Sequence, residues 1–334
     1  NAEAEQLNDI NYNQPSSYNR KLFSDALKFK YGGTNWTLSN TLSYQYLDDA
    51  QKIDQDFTEA QLYFVRQYQK QHMVANEAIL NSFGNNRINW LFGVFGFLQY
   101  SDSDVDVDVY ASDMWYLKTY GLDTRGLAVF NQAEFRLNDH WSLTAGWRFD
   151  YEASEMAYTY NGIRAGKNLP AQDTLYPKLK DQVFLPKLTL GYRVNKTNLY
   201  VSYSTGHKPG GYNSTFERPE QLMFKNETSF NFETGVKMPL VNNLFFTELA
   251  VFYTRLRDQQ IYRTVPSGRG AYLDNSGLTE NKGVEFSLKN REWHGLEGVI
   301  SYGYTHSQIL EYVQDENLNY NNKYTPYIPR HTFA

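Results

Sequence analysis

The stretch LAVFNQAEFRL at 127–137, followed by NDH at 138–140 and WSLTAGWRFDY at 141–151, decides how this chain folds. In the second run Trp141, Leu143, Ala145, Trp147, Phe149 and Tyr151 share one parity, and Ser142, Thr144, Gly146, Arg148 and Asp150 share the other. The first run divides the same way, with Leu127, Val129, Ala133, Phe135 and Leu137 opposite Gln132, Glu134 and Arg136. Alternation of period two is the signature of a strand with one apolar and one polar face. The three polar residues between the runs force a hairpin.

Outward from this hairpin the same division recurs. Leu188, Leu190 and Tyr192 oppose Lys187, Thr189 and Arg193, and Leu199, Val201 and Tyr203 oppose Asn198, Ser202 and Ser204. Phe230, Phe232, Val236 and Met238 oppose Asn231, Glu233 and Lys237, while Val284, Phe286 and Leu288 oppose Glu285, Ser287 and Lys289. Less regular strands are read at 22–31, 36–46, 61–82, 88–100, 244–263, 271–289 and 296–310. In WLFGVFGF at 90–97 both faces are apolar, so neither can be assigned to lipid, and lumen-facing aromatics there would mean that something fills the interior.

The connectors alternate. Short polar turns fall at 32–35, 83–87, 138–140, 195–197, 241–243 and 290–294, and longer connectors at 48–59, 101–125, 154–181, 207–225, 264–270 and 311–325. Short turns on one rim and long loops on the other describe an all-β, antiparallel transmembrane barrel of the outer-membrane kind. About twelve strands and the start of a thirteenth at 327–334 are expected. Several segments exceed the roughly 9–11 residues that cross a bilayer, so strands should continue above the membrane as a raised sheet.

Composition agrees. Aromatics reach 16% of 334 residues, yet mean hydropathy is -0.63, as when only alternate strand residues meet lipid. No apolar run is long enough for a spanning helix. A net charge of -5 argues against a nucleic-acid surface, and the absence of cysteine removes disulfides, thiolate metal sites and thiol nucleophiles. The histidines at 72, 140, 207, 294, 306 and 331 lack paired-ligand spacing, so no metal site and no cofactor are expected. Ser204 and His207 are close in sequence but have no evident acidic orienter, so the chain reads as a non-enzyme. The chain opens on Asn1 without a charged n-region and apolar h-region, and secretion is not read from it.

The stretch TNLYVSYSTGHKPGGYN at 197–213 resembles the barrel of TonB-dependent outer-membrane receptors, in particular the branch that imports ferric siderophores. Further similar strings follow in the family's order: FNQAEFRL at 130–137, LTAGWRFD at 143–150, FETGVK at 232–237, VFYTRLRDQQ at 251–260 and NKGVEF at 281–286. The resemblance implies a bacterial outer-membrane barrel of twenty-two strands, an N-terminal plug inside it and a TonB box ahead of the plug. On that reading, residues 1–334 are a partial barrel domain, with plug, box and final strands outside this sequence. The implied activity is import of a ferric siderophore or similar chelate energised through TonB, with lipid and lipopolysaccharide around the wall and no nucleic acid. The alternatives are a passive porin-like channel, or a TonB-dependent importer of cobalamin or an oligosaccharide.

Residues suited to an anionic chelate are aromatic or basic, since Arg offers a planar fork and Tyr amphipathic area. In the long connectors and upper lumen these are Trp115, Tyr116, Tyr120, His207, Lys208, Tyr212, Tyr262, Arg263, Arg269 and Tyr272; the same residue types also serve as interfacial girdle and lipopolysaccharide contacts. Glu134, Arg148, Glu233, Lys237, Glu285 and Lys289 are expected on the lumen face, toward the plug that the resemblance implies, or simply toward water. The turn Lys208–Gly211 reads as a backbone device, Pro fixing φ and Gly allowing positive φ. Asp102, Asp104, Asp106 and Asp108 read as a solvated acidic loop, because carboxylates two apart on a strand lie about 7 Å apart and do not share one ion without a bend.

Overall fold

The computed structural model describes residues 12–56, 58–84, 87–266, 270–275, 277–315 and 318–334. Thirteen strands form one antiparallel wall in sequence order. They are β1 (Ser17–Gly32), β2 (Trp36–Asp54), β3 (Tyr63–Ser82), β4 (Ile88–Val109), β5 (Met114–Arg136), β6 (Trp141–Arg164), β7 (Leu179–Val194), β8 (Thr197–Lys208), β9 (Glu227–Leu240), β10 (Phe245–Arg257), β11 (Leu278–Asn290), β12 (Val299–Glu311) and β13 (His331–Phe333). Among the described residues β1 and β13 do not pair, and no helix is long and apolar enough to cross a membrane.

Every strand is antiparallel to its neighbour, with Ala133 opposite Ala145 and Ala145 opposite Leu188 in the hairpin that opened the reading. Parity holds along the whole β5–β6 ladder from Arg136↔Ser142 to Met114↔Arg164. Trp147 and Phe149 are exposed on the apolar side. On the charged side Arg148 forms an ion pair with Asp150 at 2.6 Å. The apolar side is the lipid side and the charged side is the lumen side.

The short-turn rim is built from left-handed residues that reverse the chain within a few positions. Asn195 (φ 53°), Asn242 (φ 54°) and Asn243 (φ 67°) adopt it readily, while Val241 (φ 47°) is β-branched and strained there. Just above this rim, rings pair across strands: Tyr31 with Trp36 at 5.7 Å and Trp141 with Tyr192 at 4.7 Å, the arrangement of an interfacial girdle.

The opposite rim differs from expectation. The segment 101–125 is not a long loop: β4 and β5 run on as strands of 22 and 23 residues, joined by a 3-10 turn at Tyr110–Ser112. Likewise β2 continues to Asp54, β6 continues to Arg164, and short strands Lys167–Asn168 and Gln172–Leu175 fold back onto its upper end. The raised sheet is therefore real and consists mainly of β2–β6. The run at 244–263 also divides, into β10 and a strand at Gln260–Thr264 that pairs with Ala271–Asn275 as a separate hairpin.

The aspartates at 102–108 sit on β4, not in a loop. Asp106 and Asp108 both face Arg66, at 3.3 and 2.8 Å, which lowers their mutual repulsion. The intervening Val105, Val107 and Val109 point the other way and pack with Val65, Tyr63 and Tyr116.

Candidate ligand-facing wall

On the lumen side of the raised sheet, two connectors fold inward. The 209–226 connector carries a two-residue ladder, Gly211–Tyr212 with Met223–Phe224, and sets Phe216 and Leu222 against Tyr120, Met156, Tyr158 and Tyr176. Tyr158 lies 5.3 Å from Tyr120, 5.5 Å from Phe216 and 6.2 Å from Tyr176 between ring centroids. The sequence places these rings here because Met156, Tyr158 and Tyr160 continue the inward parity of Arg148 and Asp150.

The hydroxyls of this cluster tie down the connector. Tyr120 donates to the Ser214 carbonyl. Tyr212 donates to the Pro177 carbonyl at 2.5 Å and accepts the Leu179 N–H at 3.1 Å. Asn213 is buried; its amide donates to the Gln221 and Leu273 carbonyls at 2.8 Å each and accepts the Leu273 N–H at 2.7 Å. The Gln260 amide donates to the Pro209 carbonyl at 2.8 Å and the Lys225 carbonyl at 3.0 Å. The 209–226 connector and the 260–275 hairpin are thus joined through buried amides.

The turn at Lys208–Gly211 is a backbone device for a different reason from the one expected. Neither Gly210 nor Gly211 has positive φ. A Cβ on Gly210 would lie 2.5 Å from the Phe224 carbonyl oxygen, and one on Gly211 would lie 2.8 Å from the Phe224 ring. Gly210→Ala is expected to disrupt the small ladder at about 1–3 kcal/mol. Limited proteolysis of the full-length protein should show faster cleavage within 209–226; an unchanged rate would refute the assignment.

Burial raises the Tyr120 hydroxyl well above its ordinary range and pushes Tyr158 up to about 12. An unfolded-chain tyrosine ionises near pH 10. The stabilisation from keeping Tyr158 neutral is complete below that pH and is lost as pH rises from 10 through 12, an effect of about 1–3 kcal/mol. Tyr158→Phe should shallow the alkaline loss of stability in that window, measured by denaturant melts at stepped pH.

The expected ligand residues are only partly brought together. Tyr116 and Tyr120 are not in a loop but on the inward face of β5, where Tyr116 lies 5.9 Å from Tyr160 and 5.6 Å from the Lys118 ammonium. Trp115 faces outward, its indole N–H donating to Asp106 at 2.8 Å. His207 closes on Asp181 at 3.3 Å. Lys208 is exposed beside it. Tyr262 is 74% exposed, Arg263 sits opposite Tyr272 in the hairpin and pairs with Asp274 at 3.2 Å, and Arg269 lies outside the described residues.

Glu134, Arg148, Glu233, Lys237, Glu285 and Lys289 all take inward parity. Tyr200 donates to Glu233 at 2.6 Å, Lys237 pairs with Glu248 at 2.9 Å and Lys289 with Glu297 at 2.8 Å. The run at 90–97 is resolved too: Phe95 and Phe97 face the lumen, lining a pocket with Arg148. Sequence reading missed Lys118, Tyr158, Tyr160, Tyr176, Phe216 and Asp181. Continuing the β5 and β6 parity beyond the bilayer would have found Lys118, Tyr158 and Tyr160.

The family described as TonB dependent receptor-like, β-barrel matches residues 2–334. A curated relative, TonB-dependent receptor P26 of Formosa agariphila, is 31% identical over 186 residues, 54% of this chain and 17% of its own length. Among solved structures, the ferric yersiniabactin uptake receptor FyuA of Yersinia pestis superposes with a TM-score of 0.77 at 21% identity, over 95% of this chain and 46% of that one. The siderophore receptor PiuA of Acinetobacter baumannii gives 0.67 at 15% identity, over 95% and 52%. A copper transporter and a peptide importer share the fold as well. The chain spans about half the length of these solved relatives. With its open run of antiparallel strands, lipid and lumen parities and inward-folded upper connectors, it belongs to the β-barrel family of TonB-dependent outer-membrane receptors, a family of transporters and receptors and not of enzymes.

Proposed function

We propose that this wall belongs to an importer that captures a ferric siderophore or a similar metal chelate on its raised inner face and is energised through TonB. The observation that carries the reading is the ledge formed by Tyr116, Lys118 and Tyr160 above the lumen, next to connectors held inward by Tyr120, Tyr212 and Asn213. Aromatic faces and a cation on rigid strands suit an anionic chelate with flat donor groups. Burial pulls the Lys118 ammonium below its usual range, so an anion beside it offsets part of the cost of desolvating that cation. The inward charges on β5, β6, β9 and β11 fit contacts with a plug, and the outer apolar parity fits lipid and lipopolysaccharide.

Equilibrium binding by the full-length protein across ferric siderophores, cobalamin, copper, peptides and oligosaccharides tests the reading. Binding of a ferric chelate, with iron-repressed expression, is the expected result. Binding of cobalamin or an oligosaccharide, with no ferric chelate bound, overturns it.

A further inference from the structure

On the short-turn rim, the connector at 291–298 between β11 and β12 is longer than any other and forms a small hairpin of its own. Trp293 and Leu296 exchange backbone hydrogen bonds at 3.0 and 2.9 Å. Between them His294 (φ 52°) and Gly295 (φ 80°) are the two left-handed central residues that a type I′ turn requires. Asn290 fixes this tip to the wall: its amide donates to the Arg291 and Leu296 carbonyls at 2.9 Å each and accepts the Gly298 N–H.

Between the tip and the outer side of the wall lies an apolar cleft of about 310 Å³, lined by Leu244, Phe245, Leu288, Trp293, Leu296 and Ile300 among others. Phe245, Leu288 and Ile300 carry the lipid parity, so the floor of the cleft is continuous with the face that meets the bilayer. Trp293 and Leu296 lie outside the strand alternation, yet they are 56% and 67% exposed. Asn290 is the one amide in the lining, and its hydrogen-bonding groups are spent on the backbone. The cleft therefore accepts hydrocarbon and offers nothing to a polar ligand. An exposed apolar patch of this kind marks an interaction site. The short turns of such a barrel face the periplasm, and the hydrocarbon at that depth belongs to the periplasmic leaflet.

We propose that the Trp293–Leu296 tip is a clamp that holds one acyl chain of a periplasmic-leaflet phospholipid against the outer side of β10, β11 and β12. Phe245, Leu288 and Ile300 form the floor, and Trp293 and Leu296 close over the chain, with the indole at the depth where amphipathic rings settle. The Asn290 hydrogen bonds and the tight turn set the tip before a lipid arrives, so little ordering of the protein opposes binding. Arg291, exposed and next in sequence to the lining Asn290, offers its planar fork to the phosphate. The clamp is independent of the import reading, because its floor and tip lie on the lipid side and it works whichever solute the lumen carries.

The test uses the full-length protein, purified in a mild detergent and titrated with dioleoylphosphatidylethanolamine. Native mass spectrometry should show that the wild type holds one more tightly bound phospholipid than Trp293→Ser with Leu296→Ser. Gly298→Leu acts on the same cleft in the opposite sense. Gly298 lines it without a left-handed φ, and a Cβ there meets only Asn290 Oδ1, at 3.4 Å, so the longer side chain takes the space of the acyl chain and should remove the same lipid. In vesicles, phosphatidylethanolamine with a diazirine midway along one chain should label Phe245, Leu288 and the tip severalfold more than Leu143 and Leu199, which carry the lipid parity near the same rim. Equal lipid counts in the wild type and both variants, all with folded-barrel mobility, overturn the proposal, and so does labelling that is even along the rim. A dimer mass that disappears with the tip substitutions also overturns it, since the cleft would then be an interface between copies of this chain.

Discussion

Ala145→Arg is expected to destabilise the full-length barrel by about 2–4 kcal/mol in lipid, and to prevent assembly where the native margin is small. Ala145 lies mid-way along the part of β6 that alternates most strictly, between Ala133 and Leu188 on the lipid side. An arginine there cannot reach water without distorting the wall. Thr144→Arg, one residue earlier, points into the lumen opposite Glu134, where water and an acidic partner receive it. The pair differs only in parity. Urea unfolding in lipid vesicles, with heat-modifiable mobility as the measure of assembly, should show a large loss for the first and less than about 1 kcal/mol for the second. Equal losses would mean that β6 is registered differently.

Asn213→Ala is expected to cost on the order of 3 kcal/mol locally, because three hydrogen bonds disappear and buried groups of Gln221 and Leu273 are left without partners. The change removes one of the joints between the 209–226 connector and the 260–275 hairpin. Hydrogen exchange should therefore rise in both segments together, while amides in the membrane part of β8 and β9 keep their protection. A rise confined to one segment would show that the Gln260 and Asn275 contacts to Lys225 suffice alone to hold the two elements together. Asn213 closes the TNLYVSYSTGHKPGGYN stretch through which the family first came into view, and its side chain explains why an amide stands there.

The part of the wall inside the bilayer was readable from residues 127–151 outward. Strand existence, order, hairpin turns and the thirteenth strand near the end were all present in the alternation. The inward face of Glu134, Arg148, Glu233, Lys237, Glu285 and Lys289 followed from parity alone. The upper wall was misread as loops at 101–125 and 154–181: Tyr and Thr alternate in β6 without separating greasy from wet, and the Asp-Val alternation of β4, which does separate them, puts its charges on the outer parity and its valines inward. Trp115 and Tyr116, neighbours in sequence, consequently received one role although they face opposite sides of β5.

What the sequence by itself determined is the register of the strictly alternating strands against the membrane, because lipid on one side penalises a charged side chain by several kcal/mol and so writes a period of two into the chain. What only the tertiary structure decided is what lies above the bilayer. There both faces meet water or protein, the penalty vanishes, and a residue's role is set by partners distant in sequence: Tyr120 by Ser214, Asn213 by Leu273, Glu152 by Asp181.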